Sequence, residues 1–264
     1  RARVGRFEHY NHVIRNGCAR RDVCLRNGKQ CEGATLVRDE RGLALAGGGM
    51  ELRGDFARML PRLVPGRLER ELLVRAAKVK GVCAPVAVDA TAGLGEDALL
   101  LAQAGFTVLM YERDPVVSAL LRDALKRAAK VPELADAILR MNLFEEDSLD
   151  ALRAFSLPHA LCAHAPALAP PDVVYLDPMF PARVKSAAVK KKFQLLHQLE
   201  RPCEEDEAQE LLHAAIAAGP RKVVVKRPVK GPYLAGVEPS YSLTGKSVRY
   251  DCIVVASFPA SCKP

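Results

Sequence analysis

From Val86 onward the chain alternates short apolar runs with longer amphipathic ones, and this alternation limits the fold more than any other feature. The runs at Val86–Ala90, Thr107–Tyr111, Ile138–Asn142, Val173–Leu176 and Lys222–Lys226 read as strands. Helices are expected over 98–104, 115–129, 148–154, 188–199 and 204–218, and Pro115 suits a first helical turn. A last hairpin near Tyr241–Leu243 and Val248–Ala256 turns at Gly245. Strands separated by helices need crossover connections, so they lie parallel and are covered on both faces. The expectation is an α/β fold with a mainly parallel, seven-stranded sheet.

The part before this pattern reads differently. Residues 36–52 carry short apolar pieces around Gly42 and Gly47-Gly48-Gly49, which suggests hairpin-like strands. Residues 68–80 read as a basic amphipathic helix with Leu72, Leu73, Ala76 and Val79 on one side. Pro65-Gly66 divides the chain into a basic N-terminal extension, 1–66, and a main domain, 67–264. The first 31 residues hold Arg1, Arg3, Arg6, Arg15, Arg20, Arg21, Arg26 and Lys29 against Glu8 and Asp22. An acid-poor, Arg-rich start of this kind fits an arm on RNA phosphates or the remnant of a targeting sequence. The expected location is therefore the cytoplasm, or the mitochondrial matrix if a targeting sequence has been removed.

Composition narrows the classes. No apolar run approaches a membrane span. The net charge of +8 favours a polyanionic partner, while the absence of Trp argues against stacking platforms for single strands. Cys18, Cys24, Cys31, Cys83, Cys162, Cys203, Cys252 and Cys262 form no C-x-x-C pair, so no metal site is expected. They read as reduced thiols, and hence as a reducing compartment.

Three motifs carry chemistry. Asp89-Ala-Thr-Ala-Gly93-Leu-Gly95-Glu96-Asp97 ends the first strand of the alternating region, where two glycines let the backbone turn sharply beside a ligand. Glu112 ends the next strand, where an acid can accept hydrogen bonds from both hydroxyls of a ribose. The loop is not G-x-G-x-x-G, and it suits S-adenosylmethionine, which has no pyrophosphate, better than a dinucleotide. Asp177-Pro178-Met-Phe180-Pro181 follows the strand Val173–Leu176. It looks like the D-P-P-Y motif of enzymes that methylate exocyclic amines of bases. The Asp177 side chain and the Pro178 carbonyl can accept the amine's hydrogen bonds, and Phe180 can stack on the base.

With these motifs and two further blocks, Lys185-Ser-Ala-Ala-Val-Lys-Lys191 and Val223-Val-Val-Lys-Arg-Pro228, the sequence from about Met50 to Ala256 resembles the RsmJ family. These are bacterial guanine-N2 methyltransferases of small-subunit ribosomal RNA that use S-adenosylmethionine. The resemblance implies a Rossmann-like class I methyltransferase fold. It implies Glu96 and Asp97 at the methionine end of the cofactor, Glu112 and Arg113 at the ribose, Asp147 and Ser148 near the adenine, and Asp177 between cofactor and substrate. It also implies ribosomal RNA or a pre-ribosomal particle as partner. The family usually has a basic residue where this chain has Glu96, and its glycine-rich segment is replaced here by Gly66-Arg-Leu-Glu69. Those departures favour a competing reading, an RNA-binding assembly factor of the same fold with weak or no catalysis. Arg183, Lys185, Lys190, Lys191 and Lys192, with Lys226 and Arg227, are expected to hold phosphates around the target base.

Overall fold

The computed structural model describes residues 34–156, 169–178 and 203–255. Three short strands come first: β1 (Ala34–Asp39), β2 (Gly42–Gly47) and β3 (Met50–Leu52). The main sheet follows with β4 (Val86–Asp89), β5 (Thr107–Tyr111), β6 (Met141–Phe144), β7 (Val173–Leu176), β8 (Lys222–Pro228), β9 (Tyr241–Thr244) and β10 (Val248–Val254). The helices are α1 (Leu60–Leu63), α2 (Leu72–Ala77), α3 (Glu96–Gln103), α4 (Pro115–Ala128), α5 (Pro132–Ile138), α6 (Ser148–Ser156) and α7 (Glu205–Ala217).

The seven strands lie in the order β6-β5-β4-β7-β8-β10-β9. The strands β4 to β8 are parallel, and β10 runs antiparallel to both β8 and β9. The chain builds outward from β4 through β5 to β6, then crosses over to β7 and β8. Strand order therefore reverses between β4 and β7, which opens a crevice at their carboxyl ends.

Both faces of the sheet are covered, as the unbroken apolar runs require. Side chains alternate between two cores. Ala87, Val108, Met110, Val173, Tyr175 and Val224 pack with Leu99, Leu100 and Leu101 of α3 on one face. Val88, Leu109, Val174, Leu176, Val223 and Val225 pack with Leu152 of α6 and Leu211 and Leu212 of α7 on the other. Pro115 opens α4 as expected, and Asp114 caps it by accepting from the Val116 and Val117 amides at 2.8 and 3.0 Å.

Two local expectations are corrected. The helix expected over 68–80 is broken: a 3-10 turn at Leu68–Arg70 is separated from α2 by Glu71, which has φ −59° and ψ 127°. Leu68 and Leu73 both reach the core, but a kink rather than a continuous apolar face brings them there. The strand expected at Ile138–Asn142 begins only at Met141, because Pro132 starts a short helix that runs through Ile138. Its Leu134 and Ala137 are buried against the core, so the apolar run was helical up to that point. The expected helix at 188–199 lies outside the described residues.

The strands β1, β2 and β3 form an antiparallel sheet that sits on α4. Asp123, on α4, joins the two: it accepts from the Leu43 amide at 3.0 Å, from Arg38 at 2.8 Å and from Arg127 at 2.8 Å. Phe56, Met59 and Leu63, on the extension side of residue 66, share one core with Leu73 and Leu99.

Burial raises the Asp123 carboxyl, but Arg127, the Leu43 amide and Arg38 outweigh it and hold it below its ordinary value of 3.8. A depressed carboxylate contributes stability above the unfolded pKa and loses it as pH falls through the folded one. Asp123→Ala is expected to lower stability by about 2 kcal/mol at pH 7, where one partly buried ionic and hydrogen-bonded junction is lost. Urea denaturation should show the gap between wild type and variant closing as pH falls below about 4.

Candidate active site

At the reversal point the loop after β4 enters a cleft of about 720 Å³. The cleft brings together Asp89, Gly93, Gly95, Glu96, Asp97, Glu112, Arg113, Asp147, Ser148, Asp177 and Pro178, residues that the sequence reading selected from four separate segments. Phe180, Arg183, Lys185, Lys190, Lys191 and Lys192 lie outside the described residues.

The loop is held by its neighbours in the sheet. The Ala90 amide donates to the Tyr175 carbonyl on β7 at 3.1 Å, and the Ala92 amide to the Tyr111 carbonyl on β5 at 3.0 Å. Gly95 forms the N-terminal cap of α3 with φ +75°, a conformation in which a side chain is strained. A Cβ on Gly95 would also come within 2.7 Å of Leu121 and 3.1 Å of Phe56, so packing requires glycine as well. Gly93, with φ +53°, lines the cleft, and a Cβ there would meet no protein atom within 4 Å. The omitted side chain leaves room for a ligand against the backbone.

Glu112 sits at the end of β5, buried, with its carboxylate turned back to the loop. Its Oε2 accepts from the Gly93 amide at 2.9 Å and its Oε1 from the Asp114 amide at 2.8 Å. Each oxygen keeps one acceptor position. Burial pushes the Glu112 carboxyl up to about 7, against the pull of the two amides. Asp89, only 1% exposed, is pushed up to about 8 by burial, partly offset by the Thr91 amide it accepts at 3.2 Å. Asp147 accepts from the Leu149 amide at 3.0 Å at the start of α6 and faces Arg113 at 3.4 Å, while Ser148 is buried beside it. The Tyr111 and Phe144 rings stack 5.0 Å apart at the ends of β5 and β6.

The other wall is a charge cluster. Lys226 on β8 extends its Nζ between Asp97 at 2.7 Å and Asp177 at 2.9 Å, and the Tyr175 hydroxyl donates to Asp97 at 2.6 Å. The Asp177 amide donates to the Thr91 hydroxyl at 2.7 Å, which ties the end of β7 to the glycine loop. Burial opposes the Lys226 charge, but Asp97 and Asp177 outweigh it and hold the ammonium well above the ordinary lysine range. For Asp177, burial raises the carboxyl and Lys226 pulls it down, with a net rise. The Asp177 side chain remains 37% exposed, open to the cleft.

Lys226 and Arg227 were expected on an RNA surface, and the structure corrects both placements. Lys226 is 24% exposed and committed to two carboxylates, so it belongs to the site itself. Arg227 is 3% exposed, with its Nε donating to the Pro232 carbonyl at 2.8 Å. Tyr175 is the residue that sequence reasoning missed, because as one of four buried β7 residues it shows only as core. Among the described residues no group of His, Cys, Asp and Glu could hold a metal ion, and no helix is long and apolar enough to cross a membrane.

The family described as "Putative SAM-dependent methyltransferase" matches residues 32–255. The chain belongs to this family. Its relatives include the ribosomal RNA small subunit methyltransferase J of Marinobacter nauticus, 41% identical over 235 residues, with 86% of this chain and 80% of that protein covered. The protein of the same name from Alcanivorax borkumensis is 48% identical over 192 residues, covering 72% and 69%. The crystal structure of a SAM-dependent methyltransferase from Neisseria gonorrhoeae superposes with a TM-score of 0.66 at 31% identity, over 89% of this chain and 87% of that one.

The fold of this methyltransferase is accordingly the Rossmann-like class I arrangement, and its cofactor is S-adenosylmethionine. The cleft fits that group. Glu112 offers two free acceptor positions for a pair of hydroxyls, Gly93 leaves its backbone uncovered, and the acidic lining suits an ammonium and a sulfonium.

A carboxyl whose folded pKa is raised contributes stability below its unfolded value and loses it as pH rises through the folded one. With Glu112 near 7 and Asp89 near 8, the ligand-free protein is expected to lose stability between about pH 5 and 8. Glu112→Gln should flatten the part of that slope below pH 7 in urea titrations. Hydroxyl donors favour the ionised carboxylate, so S-adenosylhomocysteine should bind wild type more tightly at pH 8 than at pH 6. Calorimetry on Glu112→Gln should show weaker binding with that pH dependence reduced.

Proposed function

We propose that this methyltransferase modifies the exocyclic N2 amine of a guanine in small-subunit ribosomal RNA. The observation that carries the reading is the Asp97–Lys226–Asp177 cluster at the carboxyl ends of β7 and β8, beside the cofactor cleft. The RNA class is supported by relatives named as ribosomal RNA small subunit methyltransferases at 41–48% identity.

The chemistry follows from the acceptor. A guanine amine is a poor nucleophile because its lone pair is delocalised into the ring, so it must be oriented and its charge development supported. Bound S-adenosylmethionine supplies a methyl group activated by its sulfonium. The chain's residues handle the amine. Lys226 favours the ionised form of Asp177 against burial, and the Thr91 hydroxyl fixes the Asp177 backbone. An ionised Asp177 can accept a hydrogen bond from the amine and take up the proton it must lose. The Pro178 carbonyl offers a second acceptor, and Phe180 a face for the base. Asp97 is held by both Lys226 and Tyr175, so the cluster is set before any substrate arrives.

The deciding experiment incubates the protein with labelled S-adenosylmethionine and unmodified small-subunit RNA or particles. Asp177→Ala is expected to lower transfer by about 100-fold or more while S-adenosylhomocysteine still binds. Lys226→Met should lower transfer too and move the acid limb of the pH–rate profile upward, since Asp177 would then protonate more easily. Wild type that binds RNA or particles but neither binds the cofactor nor transfers a methyl group would favour the assembly-factor reading, to which Glu96 in the cleft lends its charge.

A further inference from the structure

With Lys226 and Arg227 drawn into the interior, the exposed cations without a carboxylate partner among the described residues are Arg75, Lys78, Lys80, Lys126 and Lys130, and a second group that begins at Arg58. Arg58, Arg67 and Arg70 are exposed on the segment that leads from the small sheet into α2. Lys230 follows β8, Lys246 lies in the turn between β9 and β10, and both are exposed. Among the described residues none of these five pairs with a carboxylate; Arg67 donates only to the Pro61 carbonyl, at 3.1 Å. The nearby acids are engaged: Asp55 caps Ala57, Glu69 accepts from the Gly66 amide, and Glu71 holds Arg62 at 2.8 Å.

The strand ends put this band on the cleft side of the sheet: β8 runs parallel to β7, so Lys230 follows its carboxyl end, and Val248 pairs with Pro228, so the turn that carries Lys246 lies at the same end. Packing joins the leading segment to that side. Phe56 lies against Gly95, at the start of α3. The Arg62–Glu71 pair lies on the same segment, with Arg62 donating to Glu71 at 2.8 Å. Leu72, at the start of α2, packs against Gly245 in the turn that carries Lys246, so a Cβ there would come within 2.7 Å of it. The other end of α2 is far from the site. Lys222, at the first residue of β8, donates to the Ala76 and Lys78 carbonyls at 2.7 and 3.0 Å, and thereby ties that end to the amino ends of the parallel strands, opposite the cleft.

We propose that Arg58, Arg67, Arg70, Lys230 and Lys246 form a phosphate-docking rim that seats the RNA strand on either side of the target base. The inference rests on the RNA-methylating reading of the cleft. Unpaired cations around a site release counterions when they meet phosphates, and they fix register without reading sequence. The polarity of α2 makes the claim specific. Charge at its Arg67–Arg70 end should matter to RNA, while equal charge at its Lys78–Lys80 end should not.

The test compares Arg67→Glu/Arg70→Glu, Lys230→Glu/Lys246→Glu and the matched far-end control Lys78→Glu/Lys80→Glu. Each changes the net charge by the same amount. Affinity for unmodified small-subunit RNA is measured across a potassium chloride series, and S-adenosylhomocysteine binding reports whether each variant is folded. Either rim variant is expected to weaken RNA binding at least tenfold at moderate salt, and to lower the slope of log K against log salt by about 1–2. The control should stay within twofold, and cofactor binding should be equal in all three. Rim variants that bind RNA as well as the control does would overturn the proposal. Failure of methyl transfer by wild type, with the rim effect intact, would count against the catalytic reading alone.

Discussion

A parallel sheet covered on both faces gives its central strands no place for polar side chains except at their ends. Every residue of β7 is buried, and the residues of β4 and β5 that face the two cores are apolar. Asp89, Glu112 and Asp177 occur where these strands stop and the ladder of backbone bonds ends. There loop amides become available, and the carboxylates accept them: Thr91 for Asp89, and Gly93 and Asp114 for Glu112. The position of the site is thus a consequence of how the core is made, and the reversal of strand order between β4 and β7 turns those ends into a cleft.

Concentrating acids there carries an electrostatic cost, and the chain handles its two halves differently. On the β5 side, backbone amides support Glu112, and burial still lifts its pKa close to neutrality. On the β7–β8 side, a fixed ammonium lies between two carboxylates, with a tyrosine hydroxyl on one of them. The first arrangement leaves a carboxylate ready to gain from hydroxyl donors. The second holds one in place before any substrate arrives. The two halves suit the two molecules the cleft has to receive.

Much of this was legible because it follows from residue type and period. The strands at Thr107–Tyr111 and Val173–Leu176 have the expected bounds, and the motif acids meet in one cleft. What stayed hidden depended on where an element stops. The strand β8 was expected to end at Lys226, which would put the next cations on a surface; it runs to Pro228. Within a strand, alternation decides the face. Lys226 therefore follows Val224 toward α3 and meets Asp97, while Arg227 follows Val225 to the other side. In the same way Pro132 started a helix inside what looked like the approach to a strand, and Glu71 broke a run with a continuous apolar pattern. Charge and hydrophobicity were readable in the sequence; one or two residues of element length redirected them.

The contact between Phe56 and Gly95 bears on how this chain can be divided. Phe56 belongs to the leading segment, yet it fills the space that the missing glycine side chain leaves beside the loop, and Leu52 lines the cleft itself. A fragment beginning after Pro65 would keep all seven strands of the main sheet and every motif acid. It would also open a hole under the loop that must hold the cofactor. A unit that keeps the loop supported therefore starts no later than β3, and a graft of the main sheet onto another module would need to bring β3 and Phe56 along.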